Sequence, residues 1–141
     1  MYEPVFKEDR FAAMLGIVQE PCSKDGCGIV RMPLMECHQN KMGSAHGGAI
    51  FTLTDMAFAA ACKNLGIHCV SAQCSISYLA PGEGEYLRAE AELVKLGKHL
   101  AVFDIVVTDS NRRKVAKAVV TGYLVGPLAQ HPAPEKAVEH D

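Results

Sequence analysis

The chain has 141 residues, of which 49% are hydrophobic and 21% charged, and its formal net charge at pH 7 is -2. A single domain of this size can bury its own core, and the composition excludes wholesale disorder. Because basic residues are not in excess, nothing favours a nucleic-acid or anionic-membrane partner. The first residues lack the pattern of a secretory signal, and the longest nearly uncharged stretch, 49–62, is too short to span a bilayer. We therefore expect a cytoplasmic protein.

The cysteines form no C-x-x-C pair, so zinc-ribbon and thioredoxin-like sites find no support. They are Cys22, Cys27, Cys37, Cys62, Cys69 and Cys74. In a cytoplasmic chain we expect all of them to be reduced, structural thiols. The alternative is a cysteine nucleophile, for which Cys37 beside His38 is the one adjacent pair. The sequence predicts no metal site.

The first third of the chain predicts a helix and a hairpin. Residues 5–15 place apolar side chains on one side of a short helix. Strand-like runs at 16–20 and 28–33 flank a turn that contains Asp25-Gly26, which indicates a β-hairpin. Residues 34–46 are polar, have no clear period and are predicted to form a loop.

A long helix is predicted from the glycines Gly47 and Gly48 to Gly66, with Lys63 in its last turn. Its residues are apolar on nearly every side, so we expect other structure to enclose it. The period then changes to two in 68–80, 85–96, 99–109 and 114–125.

Short turns separate these last runs, which predicts four consecutive strands in an antiparallel meander. The predicted architecture is α+β, one antiparallel sheet wrapped around one central helix. We expect one domain over residues 1–126. The tail, 127–141, is rich in proline and has no apolar period, so it is predicted to be disordered.

Asp55 is the single charged residue between Gly48 and Lys63, on a helix with no evident solvent face. A buried carboxylate is costly unless it has a use, so the sequence favours a carboxylate positioned in a cleft. The alternatives are that it caps another group or faces a partner chain. At the helix start, the Gly47 N–H suits a polarised carbonyl, unless the glycines merely allow a tight turn.

Gly47 and Asp55 lie eight residues apart, which is roughly 12 Å along a helix. One reacting atom could meet both groups only if they came from different chains. Two such helices, antiparallel about a twofold axis, would bring Gly47 of one chain close to Asp55 of the other. An active site at these residues therefore predicts a dimer with shared sites.

The stretch HQNKMGSAHGGAIFTLTDMAFAAACKNLG resembles the hotdog-fold acyl-CoA thioesterases of the phenylacetic acid degradation (PaaI) type. The matching features are Asn40, then His46-Gly47-Gly48 six residues on, then Asp55 nine residues past the histidine. The segment VSAQCSISYLAPG also matches the family's strand and turn after the helix. The resemblance covers roughly residues 10–125 and implies a hotdog fold, in agreement with the architecture predicted from the pattern.

The resemblance also implies roles for individual residues. Asp55 would be the nucleophile or the general base that activates water, and the Gly47 N–H would polarise the thioester carbonyl. Asn40 would orient the water or the thioester, unless it only bonds its own loop backbone. His46 would shape the loop near the carbonyl, unless it is only a helix cap.

The substrate-binding residues implied by the resemblance are Gly48, Ser71 and Lys98. Ser71 would place a hydroxyl near the carboxylate. Lys98 would meet the phosphates of coenzyme A, as would the other basic candidates, unless they are only solvated turn charges. Those other candidates are Lys41, Arg112 and Arg113. Phe51, Met56 and Phe58 are candidates for the acyl pocket, with core packing as the default.

The implied function is hydrolysis of an acyl-CoA, with an aryl or arylacetyl group favoured. No cofactor is expected, because coenzyme A is part of the substrate. The expected assembly is a homodimer at minimum, with a homotetramer favoured. The alternatives are a non-catalytic acyl-CoA-binding protein, a thioesterase for short or medium chains, a dehydratase or hydratase on the same fold, and a small oligomeric scaffold.

Overall fold

The computed structural model of the chain describes residues 3–4 and 9–127. This part contains two α-helices, α1 (Arg10–Met14) and α2 (Gly47–Leu65), and a 3-10 turn at Glu36–His38. Its strands are β1 (Glu3–Pro4), β2 (Val18–Glu20), β3 (Cys27–Pro33), β4 (Ile67–Tyr78), β5 (Tyr86–Leu96), β6 (Leu100–Asp109) and β7 (Lys114–Pro127).

The strands form one antiparallel sheet in the order β1-β2-β3-β5-β6-β7-β4. The helix α2 packs on its inner face, chiefly against β3, β5 and β4. This is the hotdog fold, so the predicted fold class is confirmed.

The predicted four-strand meander is wrong in one connection. Strands β5, β6 and β7 do follow one another as neighbours, but β4 pairs with β7 and leaves β5 to pair with β3. Residues 79–85 therefore cross between distant strands instead of making a hairpin turn. The reason is that α2 connects β3 to β4 along the chain and packs on the inner face of the sheet, which curls around it. Strand β4 is consequently an edge strand of 12 residues.

The predicted ends of α2 are confirmed. The helix begins at Gly47 after the N-cap His46, and Gly66 ends it with a left-handed φ of 71°. The shorter helix α1 covers only part of the predicted 5–15, because Asp9 caps it by accepting the Ala12 N–H at 2.9 Å. Residues 5–8 of that prediction lie outside the described residues.

Two glycines let the sheet approach α2 closely. A side chain at Gly28 would collide with the helix backbone at Ala57 and Ala61, and one at Gly122 would meet the Phe58 ring at 2.8 Å. Phe58 in turn packs edge-to-face on Phe103, with ring centroids 5.4 Å apart. Strand β6 buries every second residue against the helix, which confirms its predicted period of two.

The expectation that other structure encloses α2 is wrong for the single chain. One stripe of the helix stays exposed, and it contains Gly48, Phe51 and Asp55. Phe51 alone keeps 40% of its surface exposed. The sheet covers only one side of the helix, and these residues, three to four apart, lie on the other side.

The expectation that every cysteine is reduced is also wrong. Cys22 and Cys27 form a disulfide, with Cα atoms 6.2 Å apart, across the loop that joins β2 to β3. The predicted hairpin brings them together, as its geometry requires. The cysteines therefore give no support to a reducing compartment. Within the described residues, no helix is both long and apolar enough to cross a membrane.

The domain boundary at residue 126 stays a prediction. Strand β7 continues through Pro127, the first residue of the predicted disordered tail. The remainder of that tail, 128–141, lies outside the described residues.

Candidate active site

The N-terminus of α2 is capped by the imidazole of His46. Its Nδ1 accepts the N–H of Gly48 at 2.9 Å, so Nδ1 carries no proton. The backbone carbonyl of His46 accepts the N–H groups of Ala49 and Ile50. A side chain at Gly48 would lie 3.2 Å from His46 Nδ1 and press on the capping ring. The His-Gly-Gly run is therefore a compact cap in which the second glycine makes room for the histidine.

The cap leaves one helix donor unused. No hydrogen bond within residues 9–127 involves the N–H of Gly47, the first residue of α2. Gly47 lines an open cleft of about 400 Å³ together with the side chains of Asn40, Ile50, Tyr78 and Pro81. A free N–H at the positive end of a helix dipole can stabilise negative charge that develops on a carbonyl oxygen.

Asn40 borders the same cleft but uses most of its amide to fold its own loop. Its Oδ1 accepts the N–H groups of Met42 at 2.9 Å and Ser44 at 3.2 Å. Its Nδ2 donates to Ser44 Oγ at 3.3 Å. The single protomer thus gives Asn40 the loop-forming role at the border of the cleft.

His38 anchors this loop, which sequence reasoning did not anticipate. The buried ring donates from Nε2 to the Leu15 carbonyl at 2.7 Å and accepts the Met35 N–H at Nδ1 at 3.0 Å. Its backbone carbonyl accepts the His46 N–H at 2.7 Å. A histidine in a polar segment without a period carries no sequence signal for such a role.

The same contacts argue against a Cys37–His38 catalytic pair. Cys37 Sγ lies 3.6 Å from His38 Nδ1, but that nitrogen already accepts the Met35 N–H. The imidazole therefore has no free lone pair with which to deprotonate the thiol.

Asp55 lies two turns along α2 and is exposed in the single chain, where the sequence analysis expected it to be buried. Ser71 of β4 lies close enough to favour the ionised form of this carboxyl and so to lower its pKa. Desolvation by the surrounding protein still raises the pKa of the Asp55 carboxyl; the Ser71 hydrogen bond opposes this rise and the Asp9 carboxylate adds to it. The carboxylate is therefore accessible but poorly solvated.

The structure brings some of the predicted site residues together and separates others. Asn40 and Gly47 border one cleft. Tyr78 also borders this cleft and was not predicted from the sequence. Asp55 and Ser71 form a second group, and neither lines that cleft. Tyr78 ends β4 and Ser71 lies earlier in the same strand, so the two groups lie along the same strip between α2 and β4.

Lys98 lies apart from the cleft, in the turn between β5 and β6. It borders a separate cavity of about 350 Å³ with Lys95, His99 and Leu100. Leu100 pairs with Tyr123, which pairs with Val70, so this cavity lies level with the first half of β4 but on the outer face of the sheet, away from α2.

The other predicted substrate contacts divide clearly. Arg113 forms ion pairs with Glu83 and Asp109, and Arg112 and Lys41 are exposed loop residues. Phe58 and Met56 are core residues, whereas Phe51 lies on the exposed stripe of α2. No three metal-ligating side chains come together in the described part of the chain.

A hotdog fold with an unused N–H at a capped helix terminus, and a carboxylate further along that helix, has the parts of an acyl-hydrolase site. Comparison with known proteins supports this class. A family model, the thioesterase superfamily, matches residues 42–116. Over 114 residues the chain is 36% identical to the acyl-coenzyme A thioesterase PaaI of Escherichia coli K12, covering 79% of this chain and 80% of that relative.

Solved structures agree. The E. coli PaaI protein from the phenylacetic acid degradation operon superposes with a TM-score of 0.80 at 32% identity, over 86% of this chain and 88% of that one. A hypothetical thioesterase from Streptococcus pneumoniae with coenzyme A gives 0.74 at 32% identity, over 79% and 87%. The chain belongs to the thioesterase superfamily, in its PaaI-type hotdog branch, and is a thioester hydrolase.

Proposed function

We propose that this protein hydrolyses acyl-CoA thioesters to a free acid and coenzyme A. The observation that carries the proposal is the unused Gly47 N–H beside the cleft. The naming of the E. coli relative as an acyl-coenzyme A thioesterase, and the coenzyme A in the S. pneumoniae structure, support the substrate class. The acyl group we propose is aryl or arylacetyl, such as phenylacetyl or hydroxyphenylacetyl, because a cleft of about 400 Å³ suits a compact acyl group.

In the proposed reaction the thioester carbonyl accepts a hydrogen bond from Gly47. Asp55 acts as the general base: it takes a proton from water, the water oxygen bonds to the carbonyl carbon, and the carbon–sulfur bond breaks to release the CoA thiolate. The raised pKa of the Asp55 carboxyl favours this role, because a stronger base accepts a proton more readily. Asn40 and His46 shape the loop at the carbonyl, Gly48 completes the cap, and Ser71 orients the carboxylate. No step needs a metal or cofactor.

The proposed site is shared between two subunits of a homodimer. Gly47 and Asp55 are too far apart along α2, roughly 12 Å, to act on one carbonyl in the same chain. The edge strand β4 and the exposed stripe of α2, with Phe51 in it, are adjacent surfaces that a second copy would cover. Antiparallel pairing about a twofold axis would place each Gly47 near the partner's carboxylate, twice. We propose this dimer as the minimum, with two dimers forming a tetramer, and a cytoplasmic location.

Lys98 is the proposed contact for coenzyme A phosphates. Its cavity also contains Lys95 and His99, on the outer face of the sheet. We propose no nucleic-acid or membrane partner.

The test measures loss of thioester ultraviolet absorbance for phenylacetyl, hydroxyphenylacetyl, benzoyl, short-chain and long-chain CoA esters. Wild type is compared with Asp55→Asn, and Asp104→Asn on the opposite face of the sheet serves as the matched control. We expect Asp55→Asn alone to lose activity. Single-turnover hydrolysis in ¹⁸O-water, followed by mass spectrometry of the Asp55 peptide, tests for a nucleophile, because ¹⁸O in the Asp55 carboxyl requires that water attack an anhydride at Asp55.

One observation favours a second candidate, a protein that binds acyl-CoA without hydrolysing it. In the single chain Asp55 does not border the cleft that contains Gly47. If CoA esters raise the melting temperature but none is hydrolysed, the binding protein replaces the enzyme. Preference for butyryl-CoA or hexanoyl-CoA would instead indicate a thioesterase for short or medium chains.

A further inference from the structure

Tyr78 forms the wall of the cleft at Gly47. It is the last residue of β4 and keeps 53% of its surface exposed. Its ring lies 3.6 Å from the position that a side chain on Gly47 would occupy. The Tyr78 ring therefore borders the open space next to Gly47. Within the described chain, the face of this ring is left uncovered.

The chain segment that follows Tyr78 is held by backbone hydrogen bonds on two sides. Leu79 and Ala80, which follow Tyr78, both donate backbone hydrogen bonds to the carbonyl of Val115. Further along the same segment, the carbonyl of Gly82 accepts the Ala45 N–H at 2.9 Å. These contacts connect the wall both to β7 and to the loop that leads into α2.

The phenol of Tyr78 also holds the Gly47–Gly48 peptide. Its hydroxyl donates to the Gly47 carbonyl at 3.3 Å, while His46 accepts the Gly48 N–H at 2.9 Å. Both polar ends of this one peptide group are thus engaged by side chains. Since glycine has wide backbone freedom, the two contacts restrict the first turn of α2 and with it the direction of the Gly47 N–H.

We propose that Tyr78 is a specificity-determining residue, whose ring is the surface against which the acyl group lies when its carbonyl bonds to Gly47. This inference rests on the proposed function. A flat aromatic acyl group gains ring–ring contact there that an aliphatic chain does not. The hydroxyl has a separate, positioning role through Gly47.

The experiment compares kcat/KM for phenylacetyl-CoA and hexanoyl-CoA in wild type, Tyr78→Leu and Tyr78→Phe. For Tyr78→Leu we expect the ratio of the two values, phenylacetyl over hexanoyl, to fall by about fivefold or more. For Tyr78→Phe, which keeps the ring, we expect that ratio to stay within about twofold, while kcat falls for both substrates by about three- to tenfold at nearly unchanged KM.

Tyr123 supplies the matched control, because it is a tyrosine on the opposite face of the sheet with 51% of its surface exposed. Tyr123→Leu and Tyr123→Phe should change neither the ratio nor kcat. Tyr78→Met repeats the test if Tyr78→Leu lowers the melting temperature. An unchanged ratio in a folded Tyr78→Leu or Tyr78→Met enzyme overturns the inference alone. A wild type that hydrolyses neither thioester overturns the proposed function, and this inference with it.

Discussion

The two ends of the strip between α2 and β4 differ in how complete they are within one chain. At the Gly47 end, His46, His38 and Tyr78 make side-chain hydrogen bonds, and within residues 9–127 the Gly47 N–H makes none. At the Asp55 end, a carboxylate with a raised pKa lies on an exposed apolar stripe beside an unpaired sheet edge. The Gly47 end is held together within one chain, whereas the Asp55 end is the surface that the proposed dimer would cover.

The two ends also differ in how they affect the stability of the folded protein. The Gly47 end is assembled within one chain, by contacts that reach Leu15 and Tyr78, and needs no second copy to hold its shape. The Asp55 end keeps a carboxylate where desolvation opposes its charge, which is destabilising at neutral pH. Variants at the two ends should therefore affect activity alike, whereas only removal of the Asp55 charge should raise stability.

The largest expected effect is that of Asp55→Asn. We expect kcat to fall by about 10²–10⁴-fold, the range for loss of a general base. We also expect the melting temperature at pH 7 to rise. The folded-state pKa is raised, so the stability that protonated Asp55 gives is present at low pH and lost as the pH rises through that pKa. Asparagine cannot ionise and avoids the loss.

Activity assays and thermal unfolding at pH 7 and pH 4 check this prediction. The gain in melting temperature should shrink at pH 4, where more of wild-type Asp55 is protonated. A variant that is less stable than wild type at pH 7 would contradict the interpretation that the desolvated Asp55 carboxylate destabilises the protein.

Gly47→Pro tests the other end by removing the N–H and little else. Proline is favoured at the first position of a helix, and His46 already has the extended backbone, φ -66° and ψ 138°, that a residue before proline adopts. We expect kcat to fall by about 10²–10³-fold, as for loss of an oxyanion donor. The measurement is steady-state kinetics with circular dichroism as the check on folding.

Gly47→Ala is the matched control for that variant. It keeps the N–H, and its methyl group would lie 3.6 Å from the Tyr78 ring, which is ordinary van der Waals contact. If alanine costs as much activity as proline, the effect is steric and the N–H has no role in catalysis.

Mixing the two inactive variants tests whether the ends meet across a dimer. In a heterodimer of Asp55→Asn and Gly47→Pro, one of the two shared sites has both a normal Gly47 and a normal Asp55. Random assembly from equal amounts should restore about a quarter of wild-type activity. Co-expression with two affinity tags and native mass spectrometry establishes that heterodimers are present. Heterodimers without activity would place both groups of each site in one chain.

The sequence was sufficient for the parts of the fold that local chemistry determines. Gly47 and Gly66 mark the ends of α2, and the period of two marks β5, β6 and β7. It was not sufficient for the place of β4, because pairing with β7 depends on how the whole sheet curls around α2. Nothing in residues 79–85 distinguishes a crossing from a turn.

The candidate site divides in the same way. Asn40, His46, Gly47 and Asp55 stand out because glycines, a helix start and a lone charge are visible in the chain. His38 and Tyr78 do not, since one contacts Leu15, 23 residues away, and the other Gly47, 31 residues away. The exposure of Asp55 was misjudged because an apolar helix can have one face that only a second chain covers.

The smallest expected effect is that of Ser71→Ala, which tests how Ser71 influences the ionisation of Asp55. Ser71 lowers the pKa of Asp55 by its hydrogen bond, against the larger rise from desolvation. Removing the hydroxyl in Ser71→Ala should therefore raise that pKa further. A general base must be ionised, so activity is lost as the pH falls through its pKa. The acid limb of the kcat/KM profile should move to higher pH in Ser71→Ala, with only a few-fold loss on the plateau.

The control is Ser75→Ala, a serine of the same strand that is paired with Val119 on the outer face of the sheet. The difference between the two acid limbs therefore isolates Asp55. Coincident acid limbs would mean that Ser71 does not influence the ionisation of the Asp55 carboxylate. The pKa of that carboxyl in the active enzyme would then depend on the partner subunit more than on β4.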